Sequence, residues 1–139
     1  MTQLPDRAIV VEVAPRDGLQ SQAGLLSLDA KLDFIERLNA TGLSVIEVGA
    51  FVSPKWVPQM AESNEVLRGI TRKAGVRYPV LVPNEVGLDR ALAAGAREIA
   101  VFTAASETFN KKNTNAGIAE SIERFRPVTK RAREAGIWV

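Results

Sequence analysis

Two chemically distinctive residue types are missing from the 139-residue chain, which contains neither cysteine nor histidine. Without cysteine there are no disulfides, iron–sulfur clusters, thiolate zinc sites or cysteine nucleophile. Without histidine the chain lacks the commonest acid–base group near neutral pH and the commonest transition-metal ligand. A metal held by this chain alone would have oxygen ligands, which favours magnesium, manganese or calcium.

The chain also lacks a strong charge imbalance and a long apolar run. Its 18 basic and 16 acidic residues give a net charge of +2, which is no electrostatic reason to expect nucleic acid or a membrane as partner. No apolar run approaches the roughly 20 residues that cross a bilayer. The segment Met1 to Arg7 lacks the apolar core of a signal peptide and the acid-poor composition of a transit peptide. We therefore expect a cytoplasmic protein.

One local pattern recurs four times: a helical stretch ends in a glycine, and a β-rich run follows within a few residues. Glycine just past a helix can take the left-handed conformation that satisfies the last carbonyls. The copies are Ala40–Gly42 before 44–48, Lys73–Gly75 before 77–82, Ala93–Gly95 before 98–103 and Glu134–Gly136 before 137–139. With Ile9–Val13 as the first strand, the pattern predicts four β/α units and the start of a fifth strand.

Polar caps and apolar stripes indicate the helices between these strands. Ser27 is expected to cap the first helix, Ser63 or Asn64 to open the second, and Asn84 to cap the third. Pro127 should kink or restart the last helix, because it removes one hydrogen-bond donor. The apolar stripes are Leu28, Leu32, Ile35 and Leu38; Val66, Leu67 and Ile70; Leu88, Ala91 and Leu92; and Ile118, Ile122, Phe125 and Val128.

Alternating strands and helices imply a parallel sheet, either doubly wound or closed as a (β/α)8 barrel. The glycine-rich phosphate loops of nucleotide-binding doubly wound folds are missing from the sequence. The loops after the first, second and fourth strands are instead long and polar, and barrel enzymes build their sites there. The predicted fold class is α/β, a partial (β/α)8 TIM barrel of about four and a half units.

The predicted barrel is incomplete within residues 1–139. A full barrel has eight strands and typically about 250 residues, whereas this sequence stops in its fifth strand. The first and last strands would then present bare edges. Two explanations are open: the chain is the N-terminal half of one barrel domain, truncated in strand five, or two copies associate as a homo-oligomer. Truncation is the simpler one.

The loop after the first strand carries the best candidate for chemistry. It places Arg16 beside Asp17, followed by Gly18. A carboxylate at a strand end can hold a hard cation, and an adjacent guanidinium can hold a carboxylate or a developing oxyanion. Taken alone, the tripeptide is more typical of an Asp-Gly turn with an exposed arginine.

Three longer segments resemble the hydroxymethylglutaryl-CoA lyase family, in order and over essentially the whole chain. They are Val11–Gln20 around the first loop, Ile46–Met60 around the second, and Phe102–Glu107 followed by Lys111-Lys112-Asn113. Related synthases that make isopropylmalate or citramalate share an Arg-Asp-Gly first loop but do not usually carry the Phe-Val-Ser-Pro-Lys-Trp segment. That segment makes the resemblance specific.

The resemblance implies cleavage of 3-hydroxy-3-methylglutaryl-CoA, an acyl-CoA substrate, to acetoacetate and acetyl-CoA, with Mg²⁺ or Mn²⁺ as cofactor. By motif position, Asp17 would be a metal ligand and Arg16 the catalytic and substrate-binding cation at the enolate or thioester oxygen. Gln20 would be a polar orienting group, Glu47 an acid inside the barrel, and Asn113 a contact for substrate or CoA. The family's His-x-His pair, asparagine ligand and catalytic cysteine belong to the second half of its barrel, so we expect the isolated chain to be inactive.

Structural explanations stand beside these roles. Glu12 and Glu47 each lie in an apolar strand and could simply form a salt bridge inside the barrel, with Arg16 as one candidate partner. Phe51 and Trp56 could be pocket walls or lid packing, and Lys111 and Lys112 could be solvated loop lysines. Two other functions stay open: another metal-dependent aldolase or acyl-CoA synthase of the same superfamily, and a non-catalytic half-barrel that serves as an assembly module.

Overall fold

The computed structural model describes residues 5–139, which include five short strands and five α-helices. The prediction for Met1–Arg7 falls partly on residues 1–4, outside this range. The strands are β1 (Val11–Glu12), β2 (Val45–Ile46), β3 (Gly49–Ala50), β4 (Val80–Leu81) and β5 (Ile99–Ala100). The helices are α1 (Leu28–Asn39), α2 (Ser63–Gly69), α3 (Glu85–Ala93), α4 (Glu107–Thr114) and α5 (Ile118–Glu134). Within residues 5–139 no helix is both long and apolar enough to cross a membrane.

The strands are all parallel and follow the chain order. β1 pairs with β2, β3 pairs with β4, and β4 pairs with β5. A parallel bridge between Val45 and Arg77 joins the two ladders, and another between Glu98 and Trp138 adds the start of the next strand. The observed order is therefore that of the predicted partial barrel, four β/α units followed by one further strand.

The regular ladders are shorter than the predicted strands. The predicted strand Ser44–Val48 is observed as two short strands, β2 and β3. β2 pairs with β1, whereas β3, which extends to Ala50, pairs with β4. Single hydrogen bonds continue the pairing beyond the ladders: Glu47 N–H donates to Glu12 C=O (2.8 Å), and Phe51 N–H donates to Leu81 C=O (2.8 Å). The difference arises because each strand leaves its neighbour within a few residues to enter a loop.

The helix stops and two of the caps follow the prediction. All four repeat glycines have positive φ, between 72° and 83°. The Ser27 hydroxyl accepts from Ala30 N–H (3.3 Å), and the Asn84 side chain accepts from Gly87 N–H (2.9 Å). Ser63 begins α2 but does not cap it with its side chain, because its hydroxyl accepts from Ala50 N–H (3.1 Å) and donates to Met60 C=O (2.9 Å).

The core lies between the sheet and the helices, where the predicted stripes pack. Ile35, Leu67, Leu88 and Val128 are among its most buried members. The stripe on α5 was partly wrong: Val128 is buried as predicted, but Ile122 is 46% exposed, and Ser121 and Ala132 are buried beside Val128. This helix continues from Ile118 to Glu134 through Pro127, so the proline does not restart it.

Candidate active site

The loop after β1 contains a π-helical turn, Ala14–Gly18, in which several backbone N–H groups share one carbonyl acceptor. Val13 C=O accepts from the N–H groups of Arg16 (3.1 Å), Asp17 (2.7 Å) and Gly18 (3.3 Å). The Glu12 carboxylate accepts from Ala14 N–H (2.7 Å). Glu12 therefore satisfies a donor at the start of this turn, and the expected pairing of Glu12 with Arg16 was wrong.

Arg16 instead lies between two other carboxylates. Its Nε donates to Glu47 Oε2 (2.8 Å), and its Nη1 donates to Asp17 Oδ1 (2.8 Å). The Glu47 side chain is 6% exposed and that of Arg16 17% exposed, whereas that of Asp17 is 60% exposed. The site therefore consists of a buried acid (Glu47), a partly buried cation (Arg16) and an exposed carboxylate (Asp17). Arg16 Nη2 makes no hydrogen bond to any residue of the described range.

The buried position of Glu47 affects its protonation. Burial raises the pKa of Glu47 above its ordinary value, and the nearby Asp17 charge adds to the increase. The hydrogen bond and positive charge of Arg16 act in the opposite direction but do not outweigh the burial. A carboxylate kept in this setting is costly for the fold, and such groups concentrate at functional sites.

A cleft of about 940 Å³, here called the large cleft, opens at the carboxyl ends of the strands. Its lining includes Arg16, Asp17, Gln20 and Asn113, and Glu47 lies directly behind Arg16. The structure thus brings together all five candidate residues from the sequence. Gln20 lines the cleft, but its Oε1 is buried and has no hydrogen-bond partner within residues 5–139, which is uncommon for a buried polar atom.

Aromatic side chains supply much of the remaining wall. Trp56, Phe102 and Phe109 are 87%, 39% and 60% exposed, and all three line the large cleft. Phe51, the other expected wall residue, is 1% exposed and belongs to the core. Its ring lies 5.6 Å from the guanidinium carbon of Arg90, whose Nη1 donates to Val52 C=O (3.2 Å). The loop that carries Trp56 is therefore anchored at its start to α3.

Helix α4 was not predicted from the sequence, and Lys111 and Lys112 were expected on a loop. They lie in the last turns of α4, which Ser106 caps by accepting from Phe109 N–H (3.2 Å). The signal in the sequence that could have predicted this helix was Ser106, because serine is a preferred N-cap residue.

Helix α4 is fixed in place by Asn110, which is fully buried. Its side-chain oxygen accepts from Ala104 N–H (3.1 Å), and its side-chain nitrogen donates to Ala116 C=O (3.0 Å). Asn113 follows on the same helix, one turn further along. The position of Asn113 at the cleft therefore depends on this buried amide, which the sequence pattern alone did not reveal.

Asp17 fits a hard cation only as one ligand of a larger set. Its Oδ1 already accepts from Arg16, and its Oδ2 accepts no hydrogen bond within residues 5–139. The described part of the chain contains no group of three or more histidine, cysteine, aspartate or glutamate residues arranged to hold a metal ion. One carboxylate leaves most of an octahedral shell to water or to other ligands.

In a comparison with known proteins, the family described as HMGL-like matches residues 7–139. The chain belongs to the HMGL-like family. It is 56% identical over 139 residues to the rat "3-hydroxy-3-methylglutaryl-CoA lyase, cytoplasmic" and 52% identical over 139 residues to the human "Hydroxymethylglutaryl-CoA lyase, mitochondrial". Both matches cover 100% of this chain but only 40% and 43% of the relatives. The chain thus spans about two fifths of their length.

Solved structures of family members share the arrangement of strands and helices. The hydroxymethylglutaryl-CoA lyase of Pseudomonas aeruginosa superposes with a TM-score of 0.91 at 49% identity, over 96% of this chain and 45% of that one. An Acinetobacter HMG-CoA lyase, solved with coenzyme A and 3-methylmalate, superposes with a TM-score of 0.88 at 38% identity, over 99% and 45%. The predicted partial barrel is therefore confirmed.

Proposed function

We propose that this HMGL-like chain supplies the Arg16–Asp17–Glu47 part of a hydroxymethylglutaryl-CoA lyase active site. The reaction would break the bond between carbons 2 and 3 of 3-hydroxy-3-methylglutaryl-CoA. The hydroxyl proton leaves, the electron pair passes to the thioester enolate, and protonation of the enolate carbon gives acetyl-CoA beside acetoacetate. The observation that carries the proposal is that Arg16, held by two carboxylates at 2.8 Å each, lines a cleft of about 940 Å³.

Arg16 is suited to stabilise the enolate oxygen. Two of its donors are used to fix the guanidinium plane against Glu47 and Asp17, and Nη2 is left for the substrate. A donor that is already oriented loses little freedom when negative charge develops beside it. Glu47 then serves as the buried group that orients Arg16.

Asp17 is suited to contribute one oxygen ligand to Mg²⁺ or Mn²⁺, since its carboxylate is exposed and has a free oxygen. Such a cation, when bound, would supply a positive charge that acidifies the substrate hydroxyl. The remaining ligands would come from outside residues 5–139. We therefore propose that this chain alone releases no acetoacetate above background.

The large cleft is suited to an acyl-CoA because it combines aromatic walls with a few polar groups. Gln20 has an amide oxygen with no hydrogen-bond partner within residues 5–139, and Asn113 lines the cleft near the end of α4. We assign Gln20 to orientation of the acyl group and Asn113 to a contact with substrate or CoA. The expected cytoplasmic location stays a prediction, because the relatives include cytoplasmic and mitochondrial forms.

A chimera tests the proposal directly. Residues 1–139 replace the aligned segment of the Pseudomonas aeruginosa lyase, and acetoacetate release is measured with 3-hydroxy-3-methylglutaryl-CoA and Mg²⁺. We expect turnover, and we expect Arg16→Gln in the chimera to lower kcat by about a hundredfold or more. A folded chimera that binds substrate but gives no acetoacetate would contradict the proposal. Condensation of acetyl-CoA with a keto acid, without cleavage, would favour the synthase alternative.

The assembly-module alternative rests on the edge of the sheet. Ile9 and Val10, just before β1, are 65% and 66% exposed, and Val11 is 48% exposed. Exposed apolar edges of this kind favour association. Size-exclusion chromatography distinguishes the two: a stable dimer of the chain would support the module, and a monomer would count against it.

A further inference from the structure

A second cleft, here called the basal cleft, lies at the amino ends of the strands, opposite Arg16 and Asp17. It has a volume of about 650 Å³. It is lined by residues 72–78, which precede β4, by Arg97 and Glu98, which precede β5, and by Trp138. Its charged lining residues are Arg72, Lys73, Arg77, Arg97 and Glu98. Four cations and one carboxylate therefore surround one concave surface, in a chain whose net charge is only +2.

The single carboxylate is fully used by one of the four cations. Arg77 Nε and Nη2 donate to the two oxygens of Glu98, at 2.9 Å and 2.6 Å. Arg72 Nη2 and Lys73 Nζ donate only to backbone carbonyls, those of Gly95 (3.2 Å) and Asn39 (2.9 Å). Arg97 makes no side-chain hydrogen bond or salt bridge within residues 5–139. Three positive charges are left without an acidic partner among the described residues.

Two of the guanidinium groups are held in place by aromatic rings. The guanidinium carbon of Arg77 lies 3.9 Å from the ring centre of Trp138, and that of Arg72 lies 5.9 Å from that of Tyr78. Burial and the neighbouring charge of Arg97 lower the pKa of Arg72. Arg72 donates to Gly95 C=O just past the C-terminal end of α3, where the helix dipole places a partial negative charge that stabilises this cation. Arg97 makes no such contact within residues 5–139. The positive charges of Arg72 and Arg97 therefore repel each other, and an anion bound between them would relieve this repulsion.

We propose that the basal cleft binds a small phosphate-bearing molecule, with Arg72, Lys73 and Arg97 as its cationic contacts. Guanidinium groups pair with phosphate through two parallel N–H···O bonds, and a lysine adds a compact positive charge. The cleft has room for a group larger than a single inorganic ion. This site is separate from the acyl-CoA site, so the proposal stands or falls independently of the lyase assignment.

Amide-resolved NMR titration with inorganic pyrophosphate, at constant ionic strength, tests the proposal on the unmodified protein. We expect saturable shifts at residues 72–77 and 97–98. Pyrophosphate could also bind near Arg16 or Arg124 in the large cleft, and the map of shifted amides separates the two places. Shifts confined to the large cleft, or no saturable shifts at all, would overturn the proposal.

Two variants with the same loss of charge make the test quantitative. Arg97→Gln should weaken pyrophosphate binding by about tenfold, the loss of one charge-assisted contact. Arg126→Gln is the control, since Arg126 lies in the middle of α5 and pairs only with exposed Glu123; it should change affinity by no more than about twofold. If both variants weakened pyrophosphate binding equally, the effect would come from net charge alone, and the proposed site would be refuted. The wild-type map decides the matter even if a variant does not fold.

Discussion

The buried pair of Glu47 and Arg16 gives the sharpest test of how the site is built. Two substitutions at Glu47 separate its charge from its hydrogen-bonding shape. Glu47→Ala removes both, whereas Glu47→Gln keeps a side-chain oxygen that can accept from Arg16 Nε and removes only the charge. Because Glu47 is 4% exposed and its bond to Arg16 is 2.8 Å, both changes act inside the barrel rather than on its surface.

Glu47→Ala should destabilise the fold strongly. Breaking a buried ion pair costs about 3–5 kcal/mol, and Glu47→Ala leaves Arg16 Nε with neither a countercharge nor a hydrogen-bond acceptor at this position. Arg16 keeps its bond to the exposed Asp17, so we expect the lower end, about 3 kcal/mol. For a chain of 139 residues this corresponds to a fall in Tm of about 10 °C.

Glu47→Gln should behave differently and should leave the protein at least as stable as the wild type at pH 7. The pKa of Glu47 is raised in the folded state, so ionisation of this group costs the fold stability. For a raised pKa, the stabilising contribution is present below the unfolded value, about 4.5, and is lost as pH rises through the folded value. Relative to Glu47→Gln, the wild type should therefore lose free energy of unfolding as pH rises from 4.5.

Chemical denaturation of the three proteins between pH 4.5 and pH 8, followed by circular dichroism, gives the required free energies. The expected order at pH 7 is Glu47→Gln equal to or above wild type, with Glu47→Ala well below both. If Glu47→Gln lost as much stability as Glu47→Ala, the argument that burial makes this charge costly would be refuted. In the chimera with the Pseudomonas aeruginosa lyase, Glu47→Gln should nonetheless lower kcat, because the charge that orients Arg16 is gone.

Three further results are expected. The chain alone should bind Mg²⁺ weakly by calorimetry, and Asp17→Asn should abolish what binding there is; tight stoichiometric binding would contradict the one-ligand site. Gly49→Ala should cost about 2 kcal/mol of unfolding free energy, because a Cβ there would lie 2.8 Å from Ser63 Oγ, and an unchanged Tm would show that Ser63 can move away. Trp56→Ala should leave Tm unchanged, since the side chain is 87% exposed, while raising the chimera's KM for the acyl-CoA; an unchanged KM would remove Trp56 from the site.

Much of the fold could be predicted from local chemistry. The glycines that end helices needed a left-handed conformation, and all four have it, so the order of strands and helices followed from the repeat. Strand lengths could not be predicted, because they depend on where neighbouring strands diverge into loops. The exposure of Ile122 was missed for a similar reason: packing sets which side of α5 faces the sheet, and the buried residue is Ser121, whose hydroxyl shares a hydrogen bond with Thr103 (2.6 Å).

The members of the candidate site were predictable, but their pairing was not. Arg16, Asp17 and Gln20 follow one strand, and Glu47 lies in the next, so a barrel brings them to one end. Glu12 and Glu47 occupy equivalent sequence contexts, and nothing in the pattern shows which one reaches Arg16. The structure resolves this through the π-helical turn, which directs the Glu12 carboxylate to the backbone of Ala14.

In the proposed site, Arg16 presents its Nη2 donor to the thioester end of an acyl-CoA in the large cleft. A crystal structure of the chimera with a non-cleavable analogue of 3-hydroxy-3-methylglutaryl-CoA measures this directly. We predict that Arg16 Nη2 lies within about 3 Å of the thioester oxygen, with Nε still bound to Glu47. A thioester oxygen bound by other groups, with Arg16 turned away from the substrate, would contradict the claim.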